Sequence, residues 1–283
     1  MSRFHDTFAL SVELAIMELS VPRIGLGTWK NTDPAVCAES VQTAIECGYR
    51  HIDTAQLYEN EVAVGNGIAS ADIDRDELFV ATKVQPGNLS YDRVLESTHE
   101  SLNRLGLAVI DLLYVHWPIE TYDPEETLTA FNELIDDKYI RAVGLSNFEP
   151  DLLDEAIEIL ETPMVAHQVE FHPLNPQPTL LERAQKADYW LVGYCPLGRG
   201  ELLSHSVVEA ISAETGHTPA QVLIAWALAK DNVSVIPKAT GEAHIRENLA
   251  AQDCELASHH ISQLDGISEQ KRFVDPAAAP WNR

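Results

Sequence analysis

The 283-residue chain carries 44 acidic against 19 basic side chains, a formal net charge of -25, and its hydrophobic residues make up 45% of the total. That length suits one (β/α)8 barrel, roughly 250 residues before loops and extensions, so a single domain is expected. The acid excess excludes nucleic acid as a partner, because a phosphate backbone is bound by clustered Lys and Arg.

Acidic residues fall on every expected surface helix, as in Asp123-Pro124-Glu125-Glu126 and Asp154-Glu155. This reads as a halophile-type surface, since self-repulsion on that scale is tolerated when molar salt shortens the Debye length to about 3 Å. Cys37, Cys47, Cys195 and Cys254 contain no Cys-x-x-Cys pair, so reduced thiols in a cytoplasmic setting are expected rather than a disulfide framework or a zinc site. No apolar run approaches the ~18 residues of a membrane span. Asp6 and Glu13 interrupt the N-terminal apolar stretch, which therefore does not read as a signal peptide. Residues 1–16 are expected to be an N-terminal extension, with the barrel over 17–283 and a C-terminal tail from about residue 268.

Taken in chain order, β-rich runs alternate with helical patterns, the signature of a parallel sheet with crossover helices. Strands are predicted at Arg23–Leu26, His51–Asp53, Leu78–Thr82, Asp111–Val115, Arg141–Leu145, Met164–Glu170, Tyr189–Tyr194 and Val233–Pro237. Pro34–Cys47 reads as a helix ended by Gly48, and Ser90–Leu105 as one that Ser90 caps and Gly106 ends. Thr218, Pro219 and Gln221 supply the N-cap, N1 and N3 residues of a capping box. Two apolar stripes, Leu128, Phe131, Leu134 and Ile135, then Leu152, Leu153, Ala156, Ile157 and Leu160, are read as core. Trp190 and Trp226 are read the same way. An open doubly wound sheet would need Gly-x-Gly-x-x-Gly after its first strand, but Gly25-Leu26-Gly27 is followed by Thr28, Trp29 and Lys30. A (β/α)8 TIM barrel is therefore the predicted fold.

In such a barrel the active site lies at the C-terminal ends of the strands. The polar residues that fall there are Asp53, Lys83, His116, Ser146, Asn147, Gln168, Tyr194 and Lys238. Any one of them could simply meet solvent; together they converge on one mouth. A lysine held by an aspartate beside an aromatic hydroxyl forms a chemical unit, in which the ammonium is expected to lower the phenolic pKa from about 10.

The chain resembles the aldo-keto reductase superfamily from about Pro22 to Trp281, in particular its small prokaryotic members of the 2,5-diketogluconate reductase type. The segments that carry the resemblance are Gly25-Leu-Gly-Thr-Trp29, Gly48-Tyr-Arg-His-Ile-Asp-Thr-Ala55 with Tyr58 following, Thr82-Lys83, Ser101-Leu-Asn-Arg-Leu105 and Ile110-Asp-Leu-Leu-Tyr-Val-His-Trp-Pro118. They continue with Gly144-Leu-Ser-Asn-Phe148, Gln168-Val-Glu170, Tyr194-Cys-Pro-Leu197, Ile236-Pro-Lys238 and Arg246-Glu-Asn248.

The resemblance implies a catalytic tetrad of Asp53, Tyr58, Lys83 and His116. Tyr58 would protonate the carbonyl as hydride leaves nicotinamide C4, and His116 would orient that carbonyl. It also implies an NADPH/NADP+ site, with NADH possible, formed by Thr28, Asp53, Ser146, Asn147, Gln168, Tyr194, Leu197, Lys238, His244, Glu247 and Asn248. Ser146, Asn147 and Gln168 would hold the carboxamide, Tyr194 would stack on the ring, and Lys238 would meet the adenosine 2′-phosphate. Trp29, His116 and Trp117 would contact a small carbonyl substrate.

The chain departs from the family pattern at His244, where an arginine often clamps the 2′-phosphate, at Ala239, where a hydroxyl is usual, and at His167, where asparagine is common. Histidine lacks arginine's bidentate fork, so a reduced preference for NADPH is expected. Neither a membrane nor a bound metal is expected, and the chain is read as a monomer. One rival reading is a metal-dependent hydrolase using His51, Asp53, His116, His167 and His172, which the spacing disfavours. The other is a non-catalytic NADP(H)-binding regulatory protein on the same barrel, which the intact tetrad disfavours.

Overall fold

A computed structural model describes residues 20–282, so the expected extension over residues 1–16 lies outside the described part. Eight strands follow one another in space in chain order, each parallel to its neighbour: β1 Leu26–Gly27, β2 His51–Asp53, β3 Phe79–Val84, β4 Leu112–Val115, β5 Val143–Ser146, β6 Ala166–Glu170, β7 Trp190–Tyr194 and β8 Val233–Val235. Parallel bridges Ile24 to Val235 and Gly27 to Lys238 join the first strand to the last, so the sheet closes into the (β/α)8 TIM barrel. The barrel is one domain.

The helices are α1 Pro34–Cys47, α2 Glu61–Ser70, α3 Tyr91–Leu105, α4 Pro124–Asp136, α5 Pro150–Ile159, α6 Pro178–Ala187, α7 Ser206–Thr215, α8 Pro219–Leu228, α9 Glu242–Ala250 and α10 Ser258–Asp265. Local chemistry accounts for several of their ends. Gly48 and Gly106 end α1 and α3 at φ of 113° and 67°, and Thr218 with Gln221 makes both bonds of the capping box on α8. Ser90 precedes α3 without the expected side-chain cap, and Ile157, read as core, faces solvent at 43% exposure. The irregular tail begins at Gly266, directly after α10.

Strand alternation divides the apolar residues into two cores. Phe79, Ala81, Leu112, Tyr114, Ala142, Ala166, Val192 and Ile236 pack inside the barrel, while Val80, Val84, Leu113, Val115, Val143, Leu145, Leu191 and Val235 pack against the helices. The interior set places the site. Continuing each column by two residues past Ala81, Tyr114 and Val192 reaches Lys83, His116 and Tyr194, and two past Gly144, also in register, reaches Ser146. These side chains cap the barrel's apolar filling. Gly144 is required beneath them, because a Cβ there would lie 2.4 Å from the Tyr114 ring. Both predicted core tryptophans are partly or fully buried: Trp226 stacks on Phe171, and the Arg23 guanidinium lies over Trp190.

Candidate active site

A cleft of about 620 Å³ opens at the C-terminal ends of the strands. At its floor the ammonium of Lys83 bonds the Asp53 carboxylate and donates to the Thr54 carbonyl at 2.7 Å. Gln168 Nε2 donates to the second Asp53 oxygen at 2.8 Å. Lys83, Asp53 and Gln168 are all buried, so the ammonium and carboxylate neutralise each other away from water.

Tyr58 comes from a one-turn 3₁₀ segment, Gln56–Tyr58, after β2. Its flanks are tied down. The Gln56 amide donates to the Ser97 carbonyl at 3.1 Å and accepts from the Gln85 backbone N–H at 3.1 Å, while Asn60 donates to the Thr28 carbonyl at 2.9 Å and accepts from the Thr54 hydroxyl at 2.8 Å. The Tyr58 ring centroid then lies 5.0 Å from Lys83 Nζ and 5.7 Å from the His116 ring, edge to face. Geometry thus brings Asp53, Tyr58, Lys83 and His116 together, with Lys83 inside β3 rather than beyond its end as predicted.

The electrostatics correct one expectation. The Tyr58 phenol is not acidified by Lys83: burial, followed by the Asp53 and Tyr194 charges, raises it well above 10.0. The ammonium, itself lowered by burial, is committed to Asp53 and does not offset that rise. Burial, then Lys83, holds His116 well below 6.5, and its buried Nδ1 has no partner, so the imidazole is neutral.

On the opposite wall, β5 ends at Ser146 and the chain turns through Asn147 at φ 63°, a left-handed conformation that Asn tolerates. Asn147 Nδ2 donates to the His116 carbonyl and to Ser146 Oγ, both at 3.0 Å, and its Oδ1 accepts the Tyr194 hydroxyl at 2.8 Å. Thr28, Trp29, Trp117, Leu197 and Lys238 also line the cleft. Trp29 stands at the lip with 38% exposure, whereas Trp117 is buried against Trp281, with ring centroids 5.5 Å apart.

His244, Glu247 and Asn248 lie on α9, outside the cleft lining, and His244 is paired with Glu247 at 2.9 Å. The five residues of the hydrolase reading form no converging ligand group among the described residues. His51 and His167 are instead buried imidazoles, brought down by desolvation to about 4 and about 3.

Several cleft residues lie outside the sequence-based expectations. Lys30 and Arg199 both lie over the Trp29 ring, at 4.6 and 4.9 Å from its centroid. Together with Lys238 they are the cations of a cleft whose one carboxylate, Asp53, is already neutralised by Lys83. In a chain so rich in acid, this concentration of positive charge fits a polyanionic ligand such as a dinucleotide phosphate. The polar edges of Ser146 and Gln168 and the half-buried ring of Tyr194 suit the planar amide and ring of a nicotinamide.

Glu170 was also not anticipated. Its carboxylate accepts the backbone N–H groups of Phe273 and Val274 at 2.6 and 2.8 Å and lies 2.8 Å from His172 Nε2, so a fully buried acid anchors the tail that brings Val274 to the cleft.

Residues 23–269 match the model of the aldo/keto reductase family. The 9,11-endoperoxide prostaglandin H2 reductase of Trypanosoma cruzi is 38% identical over 89% of this chain and 90% of its own. The methylglyoxal reductase DkgB of Salmonella typhimurium is 35% identical over 93% of this chain and the whole of its own. Among solved structures, the aldose reductase of Schistosoma japonicum superposes with a TM-score of 0.87 at 29% identity, covering 92% of this chain and 93% of its own. The fold, the cleft and these matches together place the chain in the aldo/keto reductase family, as an oxidoreductase.

Proposed function

We propose that the protein reduces aldehydes or ketones to alcohols with NADPH, with Tyr58 as the proton donor. The observation that carries this reading is the placing of the Tyr58 ring against both the buried Lys83–Asp53 pair and the neutral His116. A bound NADPH supplies the hydride, from C4 of its nicotinamide.

The chain's own residues do the rest. Ser146, Asn147 and Gln168 hold the carboxamide, Tyr194 packs on the ring, and Lys30, Arg199 and Lys238 meet the phosphates. His116, being neutral, donates a hydrogen bond to the carbonyl oxygen without competing for the proton. Tyr58 keeps its proton until negative charge grows on that oxygen and then releases it beside the mutually neutralised Lys83–Asp53 pair.

Trp29 and Trp117 offer apolar area to a small carbonyl compound. The methylglyoxal and aldose reductases among the matches make 2-oxoaldehydes and aldoses the substrates to try first, with short aldehydes and keto sugars beside them. The test is NADPH consumption across such a panel at low and molar salt. Turnover of at least one class supports the reading. Tight NADPH binding with no turnover of any carbonyl would favour a nucleotide-sensing protein on the same barrel.

A further inference from the structure

Away from the cleft, the end of α7 and the first turn of α10 bring three metal-ligating side chains together. Glu214 is the penultimate residue of α7, and His259 and His260 are the second and third of α10. Their ligand atoms all lie within 4.8 Å of one another. Nε2 of His259 and Nε2 of His260 approach the same atom, Glu214 Oε1, at 3.4 and 3.2 Å. Around a tetrahedral zinc ion with bonds of about 2.0–2.1 Å, neighbouring donor atoms are about 3.3 Å apart. Two edges of a coordination tetrahedron are therefore already of the right length.

Consecutive helical residues normally diverge by about 100°. Here the two imidazoles instead lie with centroids 3.9 Å apart, tilted by 51°. His260 is only 5% exposed, and neither of its ring nitrogens has a hydrogen-bond partner, the approach of Nε2 to Glu214 being off the hydrogen-bond axis. A buried imidazole left unmatched is costly, and a cation in front of Nε2 would satisfy it.

The geometry points to a site for one divalent transition-metal ion, of the Zn2+, Ni2+ or Cu2+ class, held by Glu214, His259 and His260. Two imidazoles and one carboxylate suit these ions, whereas Mg2+ and Ca2+ take oxygen donors. Glu214 and His259 face solvent, so water completes the coordination. None of the three residues lines the cleft, and the role is structural. The turn before α7 carries Arg199 and Gly200, and the tail after α10 carries Val274; an ion joining α7 to α10 ties together the roots of both cleft-lining segments.

The test uses full-length protein without a histidine tag, stripped with EDTA and titrated with ZnCl2 by calorimetry, with melting followed in parallel. The expected result is one Zn2+ per chain, a higher melting temperature with Zn2+ but not with Mg2+, and affinity at least about tenfold weaker in both His259→Ala and Glu214→Gln. These two side chains are exposed, so metal-free melting of the variants should match the parent and separate ligand loss from misfolding. Visible absorption of Co2+ bound to the parent should disappear in both variants. Absence of Zn2+ binding, or equal affinity in the parent and both variants, would overturn the site.

Discussion

The Lys83 ammonium stands 5.0 Å from the centre of the Tyr58 ring, yet the phenol is raised rather than lowered, because burial strips water from it and Asp53 has already claimed that charge. The pH dependence of reduction follows with a definite sign. A proton donor must be protonated, and Tyr58 stays so until well above 10.0. His116 takes a proton only well below 6.5. Carbonyl reduction at saturating NADPH should therefore be flat between pH 6.5 and 10.0, with its alkaline fall beyond that window. A kcat/KM profile with an inflection inside the window would show that a different group, or a differently charged Tyr58, limits the reaction.

Glu170 fixes the tail through both carboxylate oxygens. Glu170→Gln replaces one acceptor with a donor, so one of the Phe273 and Val274 N–H groups loses its partner, at a cost of about 1–3 kcal/mol. Hydrogen exchange at those amides should accelerate at least about tenfold while amides in β4 and β5 keep their protection. Unchanged exchange across residues 266–282 would mean that the tail is held by its apolar contacts alone.

Recognition of the 2′-phosphate is proposed to rest on Lys238, since His244 turns to Glu247. A hydrogen bond to a charged group contributes about 1.5–3 kcal/mol. Lys238→Ala should therefore weaken NADPH about tenfold or more while changing NADH about twofold or less, and His244→Arg should widen the preference. Equal weakening of both cofactors, measured by fluorescence titration, would assign Lys238 to the shared pyrophosphate instead.

Asp123, Glu125, Glu126, Asp154 and Glu155 are all exposed, and the net charge is -25. Added salt should relieve this self-repulsion. The melting temperature is predicted to rise from low to molar KCl, and a flat or falling response would remove the halophile reading.

Much of the site was legible because two simple periodicities produce it. The βα alternation gives the barrel, and the two-residue repeat along each strand carries Asp53, Lys83, His116, Ser146 and Tyr194 to its upper rim. Tyr58 follows from no periodicity: a 3₁₀ turn places it, and the bonds of Gln56 and Asn60 that hold this turn span the fold. Arg199 was hidden for a similar reason, since it sits at φ 54° in an irregular turn that no strand pattern orients. Glu170 offered a faint signal, as an acid two residues beyond Gln168 on the inward side of β6. Two of its partners are backbone groups more than a hundred residues away, which sequence spacing does not reveal. The raised Tyr58 pKa was not legible because sequence shows neither how fully the fold removes water from the phenol nor that the Asp53 and Tyr194 charges lie close enough to oppose its ionisation.

The most direct measurement is single-turnover reduction of an aldehyde by Tyr58→Phe, alongside NADPH titration of the same variant. The ring is kept and one hydroxyl is removed, so NADPH should bind within about twofold of the parent, while the chemical step slows by at least about a hundredfold, the scale of general acid catalysis. Turnover near that of the parent, with NADPH bound as tightly, would contradict the assignment of the proton to Tyr58.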